Sequence, residues 1–206
     1  NQIRPISLTP NFISYAAGSV LIELGNTKVL CAVSLIPSVP SFLKNKKTGW
    51  LTAEYAMLPA ATHNRMQRES ISSQRQSRAV EISRLIGRVF RSVVDLSVLG
   101  EQTLAIDCDV LQADGGTRTA AIIGSNYALQ LAQAKLLELG LVKSNFIKTE
   151  ISAISVGIVG ESLMLDLNYE EDSKAEVDFN FVLIKAGDLI EVQGAAEQKP
   201  ISWENF

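Results

Sequence analysis

Histidine is almost absent from this chain of 206 residues, which has one histidine, two cysteines and 6% aromatic residues. His63 is that single histidine, so a Ser-His-Asp triad, a histidine-rich zinc site or a histidine general base would depend on one residue in a loop. We expect His63 to lie at the surface. The shortage favours a reaction that needs little acid or base catalysis.

The two cysteines, Cys31 and Cys108, are far apart in the sequence, and each lies within an apolar strand pattern. Neither lies in an electropositive turn that would activate a thiolate as a nucleophile. We therefore predict buried free thiols rather than a disulfide, a metal pair or a catalytic cysteine.

Long apolar runs are also missing: no segment approaches the roughly 18 to 20 residues needed to cross a bilayer. The first residues lack the basic and then apolar layout of a signal peptide. From these features we expect no membrane partner and a cytoplasmic protein. With 47% hydrophobic residues, the chain can bury a large core, in one domain or in two closely packed halves.

Positive charge is not in excess, since the net charge is −3, and this argues against a generic nucleic-acid-binding domain. The charges are unevenly distributed, however: residues 60–91 carry seven arginines against two glutamates, and residues 161–206 carry eleven acids against three lysines. The arginines are Arg65, Arg68, Arg75, Arg78, Arg84, Arg88 and Arg91. Arginine suits bidentate phosphate recognition. Charge alone favours the simpler interpretation of a solvated helix face followed by an acidic surface.

Hydrophobic periodicity predicts mixed α/β layering without a clear domain boundary. Alternation predicts strands at residues 19–24, 28–35, 51–58, 102–112, 151–159, 162–167, 175–184 and 189–193. Helical spacing predicts an arginine-bearing helix from Ser77 to about residue 95 and an apolar helix from about residue 119 to 139. Among the segments that connect these elements, we expect a mobile Ser/Gln-rich loop at 71–76, before the first helix, and an acidic loop at 168–174, before the strand at 175–184.

The segment 111–119 (LQADGGTRT) joins a strand to the apolar helix. Free N–H groups at a helix N-terminus favour an anion, and Arg118 in the first turn opposes the helix dipole unless a negative group lies nearby. The segment is neither a Walker A loop nor a GxGxxG fingerprint. An anion cradle and a plain tight turn both fit this pattern.

Acidic residues near the end of the chain form a second candidate site. Asp172 lies in the predicted acidic loop and Asp178 on the polar face of the next strand, so the two carboxylates are candidates to hold Mg²⁺ together with water and a substrate phosphate. A solvated acidic rim is the alternative. Asp107 and Asp109 form a competing carboxylate pair, which we interpret as hydrogen-bonding partners of the arginine-bearing helix.

Four segments together resemble ribonuclease PH. They are residues 49–59 (GWLTAEYAMLP), 81–88 (EISRLIGR), 106–119 (IDCDVLQADGGTRT), and 166–172 (DLNYEED) followed by 175–178 (AEVD). The match runs nearly end to end and in order, so residues 1–206 are identified as one domain of this family. The family's opening Arg-Asp-Gly-Arg and its final helix after Phe206 have no counterpart in the sequence.

The resemblance implies the ribosomal protein S5 domain 2-like fold, an α/β (α+β) fold with mixed sheets, packed helices and a left-handed crossover. It implies a phosphate-dependent 3′–5′ exoribonuclease that trims the 3′ ends of tRNA precursors and other RNA, releases nucleoside diphosphates reversibly, and forms a homohexamer as a trimer of dimers. Inorganic phosphate is then a co-substrate and Mg²⁺ the cofactor. Such a reaction agrees with the shortage of histidine, because phosphate is already an anion at neutral pH.

The resemblance also implies roles for particular residues. Arg78, Gly116, Thr117 and Arg118 match the family's phosphate-binding positions. Asp172 and Asp178 match the metal and catalytic carboxylates, and Arg65 and Arg68 match arginines that guide RNA to the site.

The sequence departs from the family at two places. Family members have Ser-Gly-Arg-Thr where this chain has QSRA at residues 76–79, and an arginine at the position of Ala60. The second change should weaken RNA binding without removing the phosphate site. A non-catalytic RNA-binding ring subunit and a hydrolytic metal-dependent nuclease remain the alternative functions.

Overall fold

The computed structural model describes residues 2–68, 77–160 and 162–196, together with residues 200 and 202. Two sheets enclose a layer of helices, which confirms the mixed α/β prediction. The loop at 71–76, predicted to be mobile, lies outside the described residues. No helix within the described ranges is long and apolar enough to cross a membrane.

The first sheet has five strands: β1 (Ile6–Pro10), β2 (Gly18–Leu24), β3 (Thr27–Ile36), β4 (Trp50–Met57) and β5 (Thr103–Gln112). Their order is β1-β2-β3-β5-β4. Strands β4 and β5 are parallel and are joined through α1 (Ser77–Val93), whereas the other neighbours are antiparallel. Strand β1 was not predicted, because its side chains are exposed apart from half-buried Leu8 and it ends in proline.

The second sheet has four antiparallel strands: β6 (Ile151–Val159), β7 (Ser162–Leu165), β8 (Val177–Ile184) and β9 (Leu189–Ala196). Their order is β7-β6-β8-β9. Strand β7 ends two residues earlier than predicted, because Asp166 adopts a left-handed conformation with φ of 56°.

The helix α2 (Thr117–Glu138) contacts both sheets, chiefly β2 and β3 of the first and β6 of the second. Its buried residues are small or apolar and lie on several of its faces, as expected for a helix between two layers. The helix α1 packs its apolar face on β4 and reaches β9. Helix α1 ends at Val93, about two residues before its predicted end, and a short 3-10 helix, Leu96–Leu99, follows.

The predicted acidic loop at 168–174 contains a single helical turn, α3 (Tyr169–Asp172). Asn168 caps it: its side chain accepts a 3.0 Å hydrogen bond from the Glu171 N–H, and the Glu171 carboxylate accepts one of 3.0 Å from the Asn168 N–H. This reciprocal capping box gives a short acidic segment a defined shape.

Both cysteines are buried and free, as predicted. Cys31 and Cys108 lie directly opposite each other on β3 and β5. His63 is exposed, as predicted, and its ring centre lies 5.5 Å from that of Tyr169.

Candidate functional site

One open cleft of about 240 Å³ lies where the first sheet and its helices face the second sheet. It is lined by Met57, Thr62, Met66, Arg78, Ala113, Gly115, Gly116, Thr117, Arg118, Ser155, Tyr169, Asp172, Asp178 and Asn180. The cleft therefore brings together all six residues predicted as phosphate-binding, catalytic or metal-binding. We call the side formed by α1, the glycine turn and α2 the cationic wall, and the side formed by α3, β6 and β8 the acidic wall.

The glycine turn, Gly115 and Gly116, leads directly into α2. Gly115 has φ of 70° and Gly116, at the N-cap of α2, has φ of 64°. A Cβ atom on Gly115 would lie 2.3 Å from the Leu167 carbonyl oxygen, so the turn requires glycine for close packing as well as for its backbone conformation. Among the described residues, no side chain caps the N-terminus of α2, which leaves its N–H groups to a ligand or to water.

The Thr117 side chain is hydrogen-bonded to a tyrosine on β4. The Tyr55 hydroxyl and the Thr117 hydroxyl oxygen are 2.9 Å apart, and both residues are buried. Burial raises the pKa of Tyr55, while its hydrogen bond to Thr117 and the positive charges of Arg78 and Arg118 oppose that rise. Tyr55 therefore stays protonated and can donate to Thr117, whose own O–H is then available for a phosphate oxygen.

Arg118 lacks a strong partner of its own within the described structure. Its Nη2 atom lies 3.6 Å from a Glu81 carboxylate oxygen, and its Nε atom is buried without a hydrogen bond. A buried N–H without an acceptor is costly, so the guanidinium is suited to an anion that enters the cleft. Arg78, exposed in the first turn of α1, adds a second positive charge to the cationic wall.

The acidic wall places two predicted carboxylates at the cleft. Asp172 is the last residue of α3 and is exposed, whereas Asp178 lies half-buried near the start of β8. Asn180, two residues further along β8, also lines the cleft. Carboxylates and an amide oxygen are hard ligands, and Mg²⁺ is commonly held by one or two carboxylates with water and phosphate completing its shell. These residues therefore fit Mg²⁺.

No group of three or more His, Cys, Asp or Glu residues in the described part of the chain is arranged to hold a metal by itself. A pair of carboxylates is consistent with a metal that shares its coordination shell with a phosphate substrate, and differs from a closed structural metal site.

Two family models match nearly the whole chain: domain 1 of the 3′ exoribonuclease family over residues 2–135, and domain 2 over residues 149–206. The chain belongs to the 3′ exoribonuclease family. This confirms the resemblance to ribonuclease PH. The two matched regions correspond to the two sheets, so the cleft lies between the family's domain 1 and domain 2.

Solved structures of similar fold include rice (Oryza sativa) Rrp46, with a TM-score of 0.78 and 22% identity over 99% of this chain and 84% of that one. An Archaeoglobus fulgidus exosome with RNA bound to the active site has a TM-score of 0.81 and 20% identity over 98% and 81% of the two chains. An archaeal exosome core has a TM-score of 0.77 and 21% identity over 98% of this chain and 79% of that one. At these identities the similarity shows a shared fold.

The two arginines that the family resemblance assigns to RNA, Arg65 and Arg68, are exposed and do not line the cleft. They lie in the segment after β4 on either side of Met66, which does line it and whose N–H donates a 2.8 Å hydrogen bond to the Pro59 carbonyl. The structure therefore places these two arginines beside one lining residue of the cleft and outside the set of residues that line it.

The interpretation of Asp107 and Asp109 as partners of the arginine-bearing helix is wrong. Their neighbours on β5 face the core, so the two carboxylates project from the opposite face of the sheet, away from α1. Partial desolvation raises the pKa of both, and at Asp107 the charges of Asp109 and Glu54 add to the rise.

The arginines of α1 have other partners. Arg88 forms an ion pair with Glu191 of β9, with Nη2 and Oε1 2.8 Å apart. Arg91 was expected on the solvent face, but it stacks 4.8 Å over the Trp50 ring and donates to the Leu51 carbonyl.

Sequence reasoning missed Tyr55, Ser155 and Asn180 as site residues. Ser155 lines the cleft floor, and its hydroxyl accepts a 3.2 Å hydrogen bond from the Leu167 N–H. Asn180 shares the alternating face of β8 with Asp178, so strand periodicity could have identified it. No comparable local signal marked Tyr55, because its partner Thr117 lies 62 residues away.

Proposed function

We propose that this protein is a phosphate-dependent 3′–5′ exoribonuclease that releases nucleoside diphosphates from RNA 3′ ends. The observation that carries the proposal is one cleft with an anion-binding wall, Gly116 to Arg118 with Arg78, opposite two carboxylates, Asp172 and Asp178. The buried, unpartnered Nε of Arg118 supports an anionic ligand on the cationic wall.

In this reaction, an oxygen of inorganic phosphate attacks the phosphorus of the terminal phosphodiester. The bond between that phosphorus and the 3′-oxygen of the preceding nucleotide breaks in line, and the attacking phosphate leaves as part of a nucleoside diphosphate. Arg78, Arg118, the Thr117 hydroxyl and the Gly116 N–H hold and orient the phosphate. Mg²⁺ bound by Asp172 and Asp178 would offset charge on the scissile phosphate.

The leaving 3′-oxygen gains one proton, and the attacking hydrogen phosphate loses one. We assign the transfer between them to Asp178, the less exposed carboxylate of the pair, which would accept the proton from the phosphate and pass it to the 3′-oxygen. Because one phosphate ester is exchanged for a phosphate anhydride, the reaction is reversible. The protein should add nucleotides from nucleoside diphosphates to RNA ends when phosphate is scarce.

We further propose tRNA precursors and other RNA 3′ ends as substrates, a homohexamer built as a trimer of dimers as the assembly, and the cytoplasm as the location. These rest on the resemblance to ribonuclease PH. The A. fulgidus structure, described as having RNA bound to the active site, adds support for RNA as the substrate class.

A second function, that of a non-catalytic ring subunit, is favoured by one observation: the similar structures include an archaeal exosome core and an A. fulgidus exosome. Such a subunit would bind RNA and support an active partner. The presence of all six predicted site residues in one cleft favours the enzyme.

The decisive experiment incubates the purified protein with Mg²⁺ and a short RNA carrying an unpaired 3′ tail, with and without phosphate, and identifies the released nucleotides. Nucleoside diphosphates that appear only with phosphate support the proposal. Monophosphates, released equally without phosphate, indicate a hydrolytic nuclease. Folded protein that binds the RNA and releases nothing indicates the non-catalytic subunit.

A matched pair of variants locates the phosphate. Arg78→Ala should abolish the response to phosphate and leave the fold intact. Lys185→Ala also removes one positive charge, from an exposed pair with Glu150, and should behave as the wild type. An unchanged apparent phosphate affinity in Arg78→Ala would place the anion elsewhere.

A further inference from the structure

A largely buried ion pair joins the two sheets beside the cleft. Arg4, just before β1, donates from its backbone N (2.8 Å) and Nε (3.0 Å) to one carboxylate oxygen of Asp166, and from Nη2 (2.7 Å) to the other. Its remaining Nη1 donates to the Asp114 carbonyl oxygen at 2.6 Å. One side chain thus bridges the glycine turn of the first sheet and the end of β7 in the second.

Low exposure, the backbone conformation of Asp166 and the planar shape of the guanidinium together fix the geometry of this ion pair. The side chains of Arg4 and Asp166 are 15% and 4% exposed. Asp166 is held with φ of 56°, a conformation that a residue other than glycine rarely adopts unless its surroundings enforce it. A planar guanidinium can supply these parallel bonds and the additional one to Asp114, whereas a lysine ammonium cannot reproduce the fork.

The contacts next to the pair continue into both walls of the cleft. On the acidic side, Asp166 is followed by Leu167 and by Asn168, the N-cap residue of α3. The Leu167 carbonyl oxygen and Asn168 backbone pack directly against Gly115. The Tyr169 N–H, in the first turn of α3, donates a 3.2 Å hydrogen bond to the Asp114 carboxylate.

On the cationic side, the same segment is tied to the hairpin between β2 and β3. The Asn26 amide donates to the Asp114 carboxylate at 3.1 Å. The buried Thr27 hydroxyl donates a 2.6 Å hydrogen bond to the Gly115 carbonyl oxygen, and its oxygen accepts a 2.9 Å hydrogen bond from the Asp114 N–H. The turn is thus fixed to the first sheet, and Arg4 and Asp114 hold α3 against it.

We propose that Arg4 and Asp166 are positioning residues, which set the place of the carboxylate of Asp172 relative to the phosphate held at Gly116 to Arg118. The inference rests on the proposed function of the cleft. Neither residue touches the substrate; both act through α3. Loosening the pair should therefore uncouple the metal from the phosphate while leaving the phosphate contacts of the cationic wall in place.

The test uses Asp166→Asn, because asparagine keeps the shape of the side chain and tolerates a left-handed backbone, so that the variant should fold. The matched control is Arg88→Lys. Arg88 and Glu191 also form a two-bond ion pair, at 2.8 and 3.2 Å, but Arg88 is half-exposed and the pair links α1 to β9.

The first readout is kinetic. In Asp166→Asn, kcat for phosphate-dependent release should fall roughly tenfold and the Mg²⁺ midpoint should rise, while KM for phosphate rises roughly fivefold, which is the contribution that Mg²⁺ makes to phosphate binding. A purely structural role would lower the melting temperature and the active fraction, and with it the apparent kcat, but would leave the Mg²⁺ midpoint and KM for phosphate unchanged. Equal kinetic changes in Asp166→Asn and Arg88→Lys would overturn the proposal.

The second readout does not need turnover: a thermal-shift titration measures phosphate affinity with and without Mg²⁺. In the wild type we expect Mg²⁺ to tighten phosphate binding roughly fivefold or more, and in Asp166→Asn this coupling should disappear. Retained coupling in the variant, or none in the wild type, would overturn the positioning role. If the wild type shows the coupling but releases no diphosphate, the proposed function fails and the positioning role stands.

Discussion

The two walls of the cleft are built differently. The cationic wall lies at the starts of long helices, α1 with 17 residues and α2 with 22, and its Thr117 is buried against Tyr55. The acidic wall carries Asp172 on a four-residue helix and Asp178 near the start of β8. The first wall is attached to helices that pack in the core, whereas the second is positioned by hydrogen bonds and packing contacts from the glycine turn.

This difference separates two properties of the site. An anion site made of buried N–H groups and arginines is preorganised and should bind phosphate without help from the acidic wall. The placement of a metal on Asp172 and Asp178 depends on the packing of α3 against the glycine turn. Changes in the cationic wall should therefore affect phosphate affinity, and changes at the contact between the walls should affect stability and turnover.

The largest effect should come from the cationic wall itself. Arg118→Ala removes a charged donor that is mostly buried, and we expect the apparent phosphate affinity to fall by about a hundredfold or more. The KM for phosphate in nucleotide release measures this affinity, and Lys185→Ala, which also removes one positive charge, is the control. A KM for phosphate within about threefold of the wild type would show that Arg118 does not bind the nucleophile.

Next in size is a change at the contact between the walls. Gly115→Ala puts a Cβ atom 2.3 Å from the Leu167 carbonyl oxygen and forces alanine into a φ of 70°. We expect the free energy of unfolding to fall by about 3 kcal/mol, measured by urea denaturation.

The control for this change isolates the contact. Gly140→Ala imposes a similar backbone strain, at φ of 66°, but no atom lies within 4 Å of the new Cβ. It should cost about 1 kcal/mol. Equal losses in the two variants would show that the close approach of Gly115 to Leu167 does not hold the walls together.

A smaller effect should follow from the support beneath Thr117. Tyr55→Phe removes the hydroxyl 2.9 Å from the Thr117 oxygen, and the loss of one hydrogen bond is worth about 1 kcal/mol. We expect KM for phosphate to rise about threefold to tenfold with kcat within about twofold. Tyr127→Phe, on α2 outside the cleft lining, is the control and should leave KM unchanged.

Local sequence patterns predicted the helices and strands that have one buried face and one exposed face. The alternation of β5 and the helical spacing of α1 follow from the faces that they present to the core. The glycine turn and Arg118 were also recognisable, because the glycines and the helix start are adjacent in the sequence.

The interactions that assemble the cleft could not be predicted in this way. Arg4 and Asp166 are 162 residues apart, and their pairing depends on how the two sheets pack. The single turn of α3 is too short to show periodicity, and its shape comes from the capping box and from Asp114. Local sequence identifies the glycine turn and Arg118 in the cationic wall, whereas tertiary contacts determine the position of the acidic wall.

The smallest expected effect concerns carboxylates that do not belong to the acidic wall. The pKa of Asp107 is raised by desolvation and by the charges of Asp109 and Glu54. Because the pKa in the folded protein lies above the unfolded value, ionisation of Asp107 costs stability as the pH rises through the folded pKa. Asp107→Asn should therefore increase the free energy of unfolding near pH 7 by about 0.5 kcal/mol.

This gain should shrink as the pH falls through the raised pKa of Asp107, because the wild-type carboxyl then becomes protonated, and urea denaturation at a series of pH values below 7 measures the change. Asp188→Asn, in the exposed turn before β9, is the control and should follow the wild type. Because Asp107 lies on the far face of the first sheet, the variant should also keep the wild-type KM for phosphate. A change in that KM would mean that the carboxylates of β5 influence the cationic wall, and that the two faces of this sheet are electrostatically coupled.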